Sequence, residues 1–100
     1  MIQRDVQTTI ISPDQRLHVT FQITWWPSGL ISHAPRITDR ATGIVLIDLW
    51  DSEWDAELCW LDQGKARLDL QRIDRNEWCA LVLDPATATY MLVDDIGPRI

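Results

Sequence analysis

Residues 48–62 read DLWDSEWDAELCWLD, and whether they form a strand or a helix decides between an all-β fold and a mixed one. As a strand, residues 51–60 project Asp51, Glu53, Asp55 and Glu57 from one face and Trp54, Ala56, Leu58 and Trp60 from the other, an acidic comb backed by an aromatic stripe. As a helix, Ser52 and Asp55 make a loose capping box, Trp54, Leu58 and Leu61 repeat at helical spacing, and Gly64 closes the C-terminus. The neighbouring segments favour the strand and leave one short helix near residues 52–63 as the only helical alternative.

The clearest neighbour is residues 16–26. Leu17, Val19, Phe21, Ile23 and Trp25 are apolar on alternate positions, with Arg16, His18, Thr20, Gln22 and Thr24 between them, the period of a half-buried strand. Ahead of it, residues 6–11 are rich in β-formers and end at Ser12, Pro13 and Asp14, a turn that makes a hairpin. Behind it, Trp26, Pro27, Ser28 and Gly29 form a second turn. Residues 30–38 read as a weaker strand, confined by Pro35 to an edge or a bulge. Ile44, Val45, Leu46, Ile47, Leu49 and Trp50 are apolar on both faces, as in a central strand covered on each side. Turn signals then recur at residues 62–64, 74–76 and 84–86. The segments between them are strand-length: residues 65–73 alternate Ala66, Leu68 and Leu70 with Arg67, Asp69 and Gln71, although Ala66, Leu70 and Ile73 also fit a helix. Residues 78–83 are apolar on both faces, residues 87–93 favour β structure, and the chain from Asp94 on reads as a polar tail. About eight short strands without a long helical segment predict an all-β antiparallel meander, closed into a small barrel or folded into a sandwich. A chain of 100 residues suits a single domain over residues 1–100.

Charge is concentrated in the same central stretch. Residues 41–64 hold six acids and no base, which equals the net charge of −6 for the whole chain. An acidic protein is a poor partner for nucleic acid or an anionic membrane. No apolar run approaches the roughly 20 residues of a membrane helix, and the N-terminus lacks a secretory signal, so a soluble cytoplasmic protein is expected. Cys59 and Cys79, without metal-type spacing, are expected as reduced core thiols.

Little chemistry is indicated. The two histidines, His18 and His33, lack nearby partners in a catalytic pattern, and no serine lies in a nucleophile elbow. His18 falls on the polar face of its strand, while His33 sits in a loop-like setting. Asp51, Glu53 and Asp55 resemble the start of a calcium loop but lack its central glycine and distal glutamate. The isolated glycines make no phosphate loop. The chain is therefore not expected to be an enzyme, nor to hold a cofactor or metal. The expected function is that of a small acidic interaction protein (an inhibitor, immunity-type protein or adaptor). It would bind a basic protein surface through Asp51, Glu53, Trp54, Asp55 and Glu57. The alternative is a small β-barrel holding an apolar small molecule in a Trp-lined interior. A homodimer is compatible with both.

Overall fold

The computed structural model describes residues 2–7, 9–75 and 77–93, so Asn76 and the expected polar tail lie outside the described residues. Among the described residues, nine strands form two antiparallel sheets: β1 (Gln3–Val6), β2 (Ile10–Ile11), β3 (Leu17–Trp25), β4 (Ile31–Asp39), β5 (Val45–Asp48), β6 (Trp54–Trp60), β7 (Ala66–Arg72), β8 (Glu77–Asp84) and β9 (Thr89–Val93). The first sheet runs β1-β3-β4-β5, with β2 also paired to β3, and the second is the meander β6-β7-β8-β9. Packed face to face, they make a sandwich of the all-β class. Residues 52–63 do not form a helix; the only helical turn described is a 3₁₀ turn at Asp62–Gly64. A helix would bury Asp55 or Glu57 alongside the tryptophans, whereas strand alternation sends them to opposite faces.

The core lies between the sheets. Leu17, Val19, Phe21 and Ile37 come from the first sheet, and Ala56, Ala66, Leu68, Leu70, Leu81 and Leu83 from the second. Each fully buried leucine contributes about 1.5–3 kcal/mol of transfer free energy. Trp54, Leu58, Trp60 and Cys79 pack against this core, so the aromatic stripe of β6 faces inward as alternation predicts.

Two expectations are corrected in the first sheet. β4 is an interior strand, not an edge: Pro35 stands opposite Phe21 of β3, and its carbonyl accepts the Leu49 N–H at 3.0 Å on the other side. The proline is tolerated because its nitrogen faces the side on which β5, paired only with the C-terminal part of β4, has run out. Conversely, β5 is an edge strand, with Ile44 and Val45 about half exposed, and a register shift bulges it beside Ile37 and Thr38.

The alternation of β3 changes partway. Leu17, Val19 and Phe21 are buried toward the core, but beyond them Gln22 and Thr24 are buried on the opposite face while Trp25 is exposed. A second, polar layer covers that face. Trp26 Nε1 donates to Ser32 Oγ at 2.9 Å, Trp50 Nε1 donates to the Thr20 carbonyl at 3.1 Å, and the Arg36 guanidinium stacks 3.6 Å over Trp50.

Candidate functional site

The five residues expected to make one binding surface are separated by the start of β6. The strand begins at Trp54, so Asp51 lies in the preceding turn with φ 61°, in the left-handed region. There Gln22 clamps it: Gln22 Nε2 donates to Asp51 Oδ1 at 3.1 Å, and the Asp51 N–H donates to Gln22 Oε1 at 2.7 Å. Arg4 Nε stands 3.9 Å away. Glu53 receives Arg72 Nη2 at 3.2 Å, and Arg72 also meets Asp74 at 2.9 Å. Asp55 Oδ1 accepts the backbone N–H of His33 at 2.8 Å, with His33 Nδ1 3.6 Å distant. Trp54 faces inward, away from these acids. The strand places Asp55 and Glu57 on one face; the turn removes Asp51 and Glu53 from it. His33, expected in a loop, lies within β4.

Glu57 is exposed and has no ion pair among the described residues. It stands directly opposite Asp69 of β7, a residue the sequence treated only as the polar half of an alternating strand. Asp69 carries its own pair with Arg67 at 3.1 Å. Asp55, Glu57, Asp69, Gln71 and Trp78 line a depression of about 60 Å³ on the outer face of the second sheet. That is the space of about two waters, or of one cationic head group. Directly opposed like charges cost stability, about 0.2–1 kcal/mol per pair. The signal in the sequence was the register of two alternating strands, which a 3₁₀ turn of three residues sets.

A different site lies between the sheets. Between β5 of the first sheet and strands β6 to β9 of the second, an apolar groove of about 340 Å³ opens. It is lined by Leu46, Ile47 and Leu49 from the first sheet, and by Trp54, Leu70, Cys79, Leu81, Tyr90 and Leu92 from the second. The space is therefore a groove at the edge rather than an interior, and Trp54 is the one tryptophan on its wall. Burial raises the Cys79 thiol above its ordinary pKa, with the Glu77 charge adding to the effect. Cys59, expected in the core, is exposed on the outer face of β6 because it shares the parity of Asp55 and Glu57, and both cysteines are free.

Charged groups elsewhere hold the fold. Arg16 Nε and Nη2 reach Asp39 Oδ1 and Oδ2 at 3.3 and 3.1 Å, and Arg16 Nη2 also donates to the Pro85 carbonyl of the second sheet's β8–β9 turn. The hydrogen-bonded Arg16 guanidinium holds the Asp39 carboxyl below the usual carboxylate range. Among the described residues, no three His, Cys, Asp or Glu side chains gather as metal ligands, and no helix is long and apolar enough to cross a membrane. No protein-family model, curated protein or solved structure matches the chain.

Proposed function

We propose that this chain is a protein-binding module that docks a basic protein surface on the outer face of its second sheet, seating a lysine or arginine head between Glu57 and Asp69. The observation that carries the reading is the in-register opposition of these two carboxylates, on an exposed face, beside Asp55 and Trp78. Like charges directly opposite on paired strands repel, and Arg67, 3.1 Å from Asp69, offsets part of that repulsion. A cation placed between them turns repulsion into two charge-assisted contacts, which together are stronger than neutral hydrogen bonds. Trp78 supplies an aromatic wall, the residue type most often found at the energetic centre of interfaces. The net negative charge of the chain gives it a long-range attraction for a cationic partner.

The test uses a short arginine-rich peptide of defined length and stopped-flow tryptophan fluorescence at low and high salt. The wild type should associate rapidly, and more slowly as salt rises. Glu57→Lys reverses the charge at the centre of the depression without touching Asp51, Glu53 or Asp55, which hold local structure. It should slow association and flatten the salt dependence. Equal association rates for the two proteins would refute the reading.

A further inference from the structure

A sandwich of two open sheets has four edges, and three of them are blunted. β1 carries Arg4 and Asp5 and separates from β2 before the sheet continues. β5 is four residues long, bulged, and ends at Asp48, which Arg36 meets at 3.2 Å. β6 presents Asp55 and Glu57, the first already spent on His33. These are the devices by which natural sheets avoid edge-to-edge pairing. β9 has none of them: Thr89, Tyr90, Met91, Leu92 and Val93 include no charge and no proline, and the middle three are 61, 67 and 62% exposed.

Its inward residues are exposed as well. Tyr90 and Leu92 stand opposite Leu83 and Leu81, so they belong to the core face of the sheet, yet they line the groove without cover from any of the described residues. Across the groove, β5 has the two-sided apolar sequence of a covered strand and the burial of an edge. Both walls are composed for burial that the described residues do not supply.

We propose that the occupant is a second copy of this chain, with β9 pairing antiparallel to β9 of the other copy about a twofold axis at Met91. The strand is self-complementary about that residue. Tyr90 then meets Leu92 of the other copy on the groove side, twice, and Met91 meets its own counterpart on the outer side. The contact is isologous and closes after two chains. β9 carries no charge, so two chains of charge −6 can touch along it without carboxylates of the strand opposing each other. Tyr90, Met91 and Leu92, each more than 60% exposed, and the half-exposed Ile44 and Val45 supply the apolar surface that such a contact buries. The depression at Glu57 lies on the outer face of β6 to β8, with Glu57 on the opposite edge strand from β9, and stays free in the dimer.

The experiment is sedimentation equilibrium of the wild type and Leu92→Lys at low and high salt. The wild type should be a dimer that tightens with salt as repulsion between the acidic chains is screened, whereas binding of a basic peptide weakens. Leu92→Lys, at an exposed position, should keep the wild-type circular dichroism and weaken dimerisation by at least about thirtyfold, the effect of a hot-spot residue. In a Cys59→Ser background, Met91→Cys should form an intermolecular disulfide on mild oxidation, because residues directly opposite on paired strands bring their Cβ atoms close enough. A wild type that stays monomeric at the highest concentration reached would overturn the proposal. So would a dimer that Leu92→Lys leaves intact, or a monomer whose groove takes up an apolar dye.

Discussion

Asp55 Oδ1 accepts the backbone N–H of His33 at 2.8 Å, and this one contact joins the two sheets where β5 no longer reaches. In β4 the backbone groups of His33 and Pro35 face the same side. Pro35 has no N–H to satisfy there, but His33 does, and a carboxylate from β6 takes the place of a missing strand. Asp55→Ala leaves that N–H without an acceptor and should cost about 1–3 kcal/mol. Asp55→Asn keeps a carbonyl oxygen and should cost less. Urea midpoints for the two variants check this, and equal losses would mean that the negative charge, not the acceptor, is what β4 requires.

The Arg16–Asp39 pair predicts the acid limb of the stability profile. Asp39 has a depressed pKa in the folded state because Arg16 hydrogen-bonds its carboxylate, and Asp14 is depressed by the Ser12 hydroxyl and the Arg16 backbone N–H. In the window below the ordinary carboxylate value of 3.8 the unfolded chain binds more protons than the folded one. Stability from these groups is therefore fully present above that value and is lost as pH falls through the folded pKa. Asp39→Asn should be less stable at neutral pH and should show a shallower loss on acidification. Parallel acid limbs for wild type and variant would remove Asp39 from the account.

The tryptophans separate by their indole N–H groups. Trp50 and Trp26 each donate one hydrogen bond, to the Thr20 carbonyl and Ser32 Oγ, whereas Trp78 Nε1 is buried without an acceptor among the described residues. Replacement by phenylalanine at position 50 gives up this hydrogen bond and weakens the stack with Arg36, a cost of about 0.5–1.5 kcal/mol. Trp78→Phe gives up no hydrogen bond and should cost less in thermal or urea melts.

The thiols should react at different rates. Cys59 is exposed on the outer face of the second sheet, while Cys79 faces the groove with its thiol pKa raised by burial. Thiolate is the reactive form. A thiol reagent at mildly alkaline pH should label Cys59 first and Cys79 slowly. Oxidation within one chain should not join them, because β7 lies between β6 and β8, a span of about 9.5 Å, and the two side chains point to opposite faces.

What the sequence disclosed was periodic. The alternations of residues 17–21, 54–60 and 66–70 each assign the correct residues to the core, since a strand with one buried face records that burial every second residue. What it concealed was long-range. Nothing near Pro35 announces that β5 stops beside it, and nothing in residues 22–24 announces that Trp26, Trp50 and Arg4 cover their outer face. Asp51 reads as one tooth of a comb until its turn conformation is known. Asp69 gains its significance only from standing opposite Glu57.

That opposition gives the last prediction. Glu57 and Asp69 face each other across β6 and β7 on a solvent-exposed surface, and Arg67 accompanies Asp69. Replacing Glu57 by glutamine removes a repulsion, and replacing it by lysine converts the repulsion into an attraction. Cross-strand pairs of this kind are worth about 0.2–1 kcal/mol. The expected order of stability is Glu57→Lys above Glu57→Gln above wild type, with the differences shrinking as salt rises, because exposed charges are screened over about 8 Å at physiological ionic strength. Chemical denaturation at low and high salt measures the order. A destabilised lysine variant would show that the Glu57 carboxylate has a structural role in the isolated chain, and its opposition to Asp69 would no longer point to a partner.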